Sequence, residues 1–215
     1  MPVKCSYNTA NLRSLIDDKT LKDLQKELKG YIPAYYRPYL KLKKDIYGSE
    51  HRRVTIMIVN VEMEYNLDVP SSFQIIQKII KIIQHQVYRM EGSFSKVISY
   101  EGGFTVMCTW GLSPMSHTDD AARAVLASLN MQKKLIYFFQ VVAGMPDFSP
   151  PVHFGLCTGN VFVGISGTTQ NRKELVILGD TVERTFLFMQ TATKVFGRIF
   201  VDQSTKIEAS HYLDF

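Results

Sequence analysis

The segment VTIMIVNV, from Val54 to Val61, constrains this chain more than any other. It is a β-branched run of strand length, with polar interruptions only at Thr55 and Asn60, and so reads as a strand buried in a core. The segments after it limit the fold further. Pro70-Ser71-Ser72 supplies a helix start, and Phe73, Ile76, Ile79, Ile80, Ile83 and Val87 then share one helical face until Glu91-Gly92 ends the element. Two short runs, SFSKVISYE and FTVMCTW, flank Gly102-Gly103, a pair that tolerates positive φ and signals a hairpin turn. Asp119-Asp120 opens a second helix, AARAVLASLNMQKKLIYFF, with its acidic residues where the macrodipole favours them.

Beyond a loop at Gly144 to Pro151, VHFGLCTG and NVFVGISG read as two strands around a turn at Gly159-Asn160. The run ELVILG, a helix from Asp180 to about Thr193, a strand RIFVD and a helix-like STKIEAS complete the pattern, and a continuation beyond Phe215 is expected. The succession implies an α+β fold: a ferredoxin-like βαββαβ core with an extra hairpin strand, helix and strand. Ahead of it, residues 9–29 carry apolar positions at helical spacing up to Gly30, and YIPAYYRPYLKL reads as a packed Pro/Tyr-rich connector. Residues 1–50 are therefore expected to form an N-terminal amphipathic helix and connector, and residues 51–215 the main domain.

Composition narrows the function classes. At 46% hydrophobic and 21% charged residues, the chain resembles an ordinary globular protein. Its longest apolar stretch, IIQKIIKII, is interrupted by lysine and glutamine and falls far short of the roughly 20 apolar residues a membrane span needs. The start, MPVKCSYNTANLRSLIDD, has no apolar core and no small-residue cleavage site, so no secretory signal is expected and a cytoplasmic location is. Cys5, Cys108 and Cys157 are odd in number and widely spaced, which fits reduced thiols rather than a disulfide framework. The net charge of +5 is spread along the sequence, and its densest patch, KLKKDIYGSEHRR, reads as a solvated linker, so no nucleic-acid partner is expected.

Five segments in order, RRVTIMIVNVEMEY, GSFSKVISYEGGFTVMCTWG, DDAARAVLASLNM, VHFGLCTGNVFVGISG and ELVILGDTVERTFLFMQTA, resemble the class III adenylyl and guanylyl cyclase catalytic domain. The resemblance runs from about Tyr31 to Asp202 and is greatest to the second cyclase domain of the soluble, bicarbonate-responsive adenylyl cyclases, whose lead-in is similar to YIPAYYRPYL. It implies the class III cyclase fold for residues 51–215 and a chemistry of in-line attack on a nucleoside triphosphate, assisted by two divalent metals held by two aspartates. At the positions the resemblance assigns to those aspartates this chain has Asn60 and Phe104. A neutral amide is a poor ligand for a hard cation and a phenyl ring is none. Glu62, Glu64 and Glu101 lie near in sequence, but strand alternation keeps them from converging.

The resemblance also implies that cyclase domains pair face to face, one supplying the metals and the other the base and transition-state contacts. For the second role it assigns Lys96 and Val176 to the nucleotide base and Glu183 and Leu187 to ribose and phosphate. A glutamate repels a triphosphate and a leucine offers no positive charge, so no catalytic residue is expected. Arg184 is one residue along, a rotation of about 100° that points it elsewhere. Lys96 also fits a solvent-facing strand residue, and Trp110 and His153 fit core and strand-end positions.

These residues leave three readings. The chain is a noncatalytic cyclase-homology domain that pairs with another cyclase-like domain and regulates or scaffolds it; or half of a composite cyclase using ATP or GTP; or a structural module of a larger, ciliary assembly. No cofactor is expected for the chain alone, and Mg2+ or Mn2+ only where a partner supplies the ligands. Combining Glu183→Asn with Leu187→Arg is expected to yield no cyclic AMP or cyclic GMP from the chain alone by immunoassay; product from that variant would show the alignment to be out of register.

Overall fold

The computed structural model describes residues 17–32, 49–63, 69–142, 152–167, 173–195 and 199–214. Its elements are α1 (Asp18–Leu28), β1 (Glu50–Glu62), α2 (Val69–Arg89), β2 (Ser93–Tyr100), β3 (Gly103–Trp110), α3 (Asp120–Tyr137), β4 (Val152–Gly167), β5 (Lys173–Leu178), α4 (Asp180–Thr193), β6 (Ile199–Val201) and α5 (Gln203–Ala209). The strands form one sheet in the order β2-β3-β1-β4-β5, with β6 joining β4 in parallel and every other pairing antiparallel. This is the α+β architecture of a ferredoxin-like core with the expected additions.

β1 is central and covered on both sides, as its composition requires. Met57, Val59 and Val61 join Ile79, Ile83 and Val87 of α2 and Ala124, Met131 and Leu135 of α3 in one core, which Phe104, Val106, Cys108 and Trp110 of β3 complete. Val54, Ile56 and Ile58 point the other way, into a smaller core with Val161, Val163, Ile177 and Met189. Alternation along one strand thus serves two layers. The Trp110 indole donates from Nε1 to the Met90 carbonyl at 3.0 Å, joining the end of β3 to the end of α2.

Several local expectations are corrected. Gly159-Asn160 is no turn: β4 runs unbroken for 16 residues, pairing with β1 through its first part and with β5 through its last. Its glycines answer to a helix instead. A Cβ on Gly155 would collide with the backbone nitrogen of Met189 and lie 2.5 Å from the Thr185 carbonyl oxygen, and one on Gly159 would strike the Thr181 side chain. The side-chain-free backbone lets α4 settle directly on β4. The hairpin at Gly102-Gly103 does form, both residues having positive φ. Phe73, placed on the buried face of α2, is 67% exposed. Residues Glu50 to Arg53, read as linker, extend β1 and pair with β4. Helix α1 starts at Asp18, where extended Asp17 caps it by accepting from the Thr20 amide at 3.2 Å, and residues 9–16 of the expected helix lie outside the described residues. Most of the Pro/Tyr connector, the rest of the basic patch and the loop from Gly144 to Pro151 lie outside the described residues.

Cys108 and Cys157 are buried free thiols. Burial pushes the Cys108 thiol up, and it pushes Cys157 up to about 11 against the opposing hydrogen bond with Thr185. Cys5 is outside the described residues. No helix among the described residues is long and apolar enough to cross a membrane.

The close seating of α4 gives a direct test. Gly155→Ala forces the helix off the strand and is expected to cost about 1–3 kcal/mol in urea unfolding, more than an alanine at exposed Gly30, whose Cβ meets nothing.

Candidate functional site

Seated over β4 and the adjoining part of β1, α4 leaves the outer part of the same sheet face open. The uncovered strip forms the floor of a cleft of about 810 Å3. Register assembles that floor row by row: Asn60 of β1 lies opposite Thr105 of β3, which lies opposite Ile98 of β2, and the next row pairs Ile58 with Met107. Tyr100 closes one end. The wall is α4, through Val182, Glu183, Phe186, Leu187, Met189, Gln190 and Thr193.

The polar groups of the floor bond chiefly to one another. Asn60, 5% exposed, accepts at Oδ1 from the Tyr100 hydroxyl at 2.7 Å and from Thr105 Oγ1 at 3.2 Å. His153, opposite Asn60 on β4, is buried, with Nε2 at 3.6 Å from Glu62 Oε1. Around these groups the cleft is apolar. Among the described residues, Glu183 is the one carboxylate in its lining, which contains no lysine, arginine or histidine.

Of the residues singled out in the sequence, Asn60, Glu183 and Leu187 meet at this cleft. Phe104 does not. It pairs with Val61 rather than Asn60, faces the α2 and α3 layer and is buried, so the side chain opposite Asn60 is Thr105. Lys96 lies on β2 in line with Ile98 and Tyr100, but its ammonium sits 3.2 Å from Glu174 Oε1 on β5. Strands β2 and β5 are at opposite ends of the sheet path, so that pair spans a strongly curled sheet. Val176 is half-buried on β5 opposite Gly164 and does not line the cleft.

Arg184 is directed away from the cleft, as a rotation of one helical position requires. Its Nε lies 2.9 Å from Asp180 Oδ2, and Nη1 is 3.4 Å from Asp202 Oδ2. Asp202, which the sequence placed merely at the end of the last strand, is a buried junction. Its Oδ1 accepts from the Thr205 amide at 2.8 Å, the Thr205 hydroxyl at 2.6 Å and the Thr158 amide at 3.2 Å, capping α5 and tying it to β4. Sequence reasoning also passed over Ile98, Tyr100, Thr105 and Met107, although the alternation of β2 and β3 about the Gly102-Gly103 turn places all four on one face. On β4 and α4, Val161 and Val163 are core residues, whereas Phe162, Phe186 and Leu187 are exposed.

Solved structures share this fold. The guanylyl cyclase Cya2 superposes with a TM-score of 0.63 at 23% identity, over 75% of this chain and 80% of that one. A bacterial light-regulated adenylyl cyclase gives 0.73 at 17% identity, over 92% of this chain but 57% of its own. A dimeric guanylyl cyclase domain of the RhoGC fusion protein from the aquatic fungus Blastocladiella emersonii gives 0.58 at 16%, over 76% and 86%. No protein-family model matches the sequence, and no curated protein matches it. The chain therefore has the fold of adenylyl and guanylyl cyclase catalytic domains.

That fold implies a pair of divalent ions, and the residues present do not fit them. The Asn60 oxygen is neutral and already takes two hydroxyl hydrogens, its neighbour is a threonine, and Glu183 stands across the cleft on the helix wall. Hard divalent cations take several oxygen ligands, carboxylates foremost. Among the described residues no group of three His, Cys, Asp or Glu side chains is arranged to hold a metal ion. Asn60→Asp, which restores one carboxylate, is accordingly expected to leave Mn2+ unbound at millimolar concentration by electron paramagnetic resonance; stoichiometric binding would locate a second ligand that the site lacks.

Proposed function

We propose that this chain is a noncatalytic cyclase-homology domain that pairs with another cyclase-like domain and regulates or scaffolds it. The observation that carries the reading is the cleft itself: a cyclase-like concavity lined, among the described residues, by apolar side chains, one carboxylate and no cation. Triphosphate chemistry demands positive groups where negative charge develops. At the two helix positions where the sequence resemblance puts an asparagine and an arginine, the lining has Glu183 and Leu187.

Pairing is supported by the surface that remains. Ile98, Phe186 and Leu187 are 52%, 44% and 59% exposed along the cleft, and Phe162 and Leu178 are exposed opposite one another on β4 and β5. Exposed apolar groups in such number are a frequent mark of an interface, and one structural relative is a dimeric cyclase domain. Within this proposal the nearest kin is the second cyclase domain of the soluble adenylyl cyclases, the domain begins near residue 51, and its setting is the cytoplasm.

Two measurements test it. Titration of ATP and GTP with Mg2+ or Mn2+ is expected to give no calorimetric signal with the chain alone. Sedimentation with a catalytically active class III cyclase domain is expected to give a heterodimer that Leu187→Asp weakens by about tenfold or more. A chain that remains monomeric at high concentration and pairs with no cyclase domain refutes the reading. Tight nucleotide binding confined to the mixture would favour half of a composite cyclase instead.

A further inference from the structure

We propose that the cleft between α4 and the β1-β3-β2 strip is a binding site for a small organic cation with a flat apolar body. The proposal concerns the unpaired chain, because the pairing proposed above would use Ile98 and Phe186 of the same cleft. A volume of about 810 Å3 is within the range of small-molecule sites, which combine apolar walls with a few placed polar groups. Here Ile98 and Met107 rise from the sheet and Val182 and Phe186 from the helix, leaving a slot between two apolar sides.

Charge selects the occupant. Glu183 is exposed at the wall, and among the described residues it joins no ion pair. An anion entering would meet that carboxylate with no compensating cation in the described lining, whereas an ammonium group gains a modest, solvent-screened attraction to it. Phe186 lines the same slot and supplies an aromatic ring, a side-chain type that attracts cations. The floor offers little competition, because the Asn60 oxygen is already engaged by Tyr100 and Thr105.

Three probes of one shape and different charge test this: naphthylethylamine, naphthylethanol and naphthylacetate, each titrated into the intact chain with binding followed by amide chemical shifts. The amine is expected to bind about threefold or more tightly than the alcohol, and the acid most weakly. Glu183→Gln, at an exposed position that folding does not depend on, is expected to bring amine and alcohol to equal affinity. Ile98→Trp, which fills the slot, is expected to abolish binding of all three. The proposal is overturned if the acid matches the amine, if Glu183→Gln leaves the preference intact, if the shifts fall away from the cleft, or if no probe binds.

Discussion

The seating of α4 on β4 sets the shape of the cleft on this face of the sheet. Two glycines four residues apart on one strand remove the side chains that would hold the helix away, and Met189 and Thr185 occupy the space. The helix consequently lies low over β4 and the near part of β1, packing with Ile56 and Val161, and leaves Ile58 at the edge of the cleft floor. The uncovered floor and the lateral face of the helix are two products of one close contact. A helix standing higher would bridge the strip rather than leave a cleft beside it.

Much of this architecture was legible in the sequence, because the signals involved are local. VTIMIVNV, the face of α2, the Gly102-Gly103 hairpin and the acidic start of α3 each follow from periodicity or turn chemistry, and each appears in the structure. The failures arise where a residue type serves two purposes. Gly159 followed by asparagine looks the same whether a backbone must turn or must be approached, and only the position of α4, distant in sequence, decides between them. Phe73 matched the helical period yet stands exposed near the start of α2, ahead of Ile76 and Ile79, which pack into the core.

The site was legible in a different measure. The resemblance assigns Asn60, Glu183 and Leu187 to one site, and the three do line one concavity. What one dimension could not supply was register. Phe104 and Thr105 are adjacent in sequence but face opposite layers, and only strand pairing determines which of them meets Asn60. The destination of Lys96 was equally hidden, since Glu174 lies on a strand nearly 80 residues away, brought near by curvature of the sheet rather than by pairing. An exposed pair of that kind contributes only about 0.2–1 kcal/mol, so it records the curl without causing it.

The carboxylate of Asp202 has a reach larger than its size. One oxygen begins the last described helix and holds the middle of β4, while the other faces the guanidinium of Arg184 on the side of α4 turned away from the cleft. Thr205 extends the link through Thr158 to Thr55, so three hydroxyls cross from the tail of the chain to its central strand. The last described helix is thereby tied to the central strand and to α4 through one carboxylate and its relay of hydroxyls.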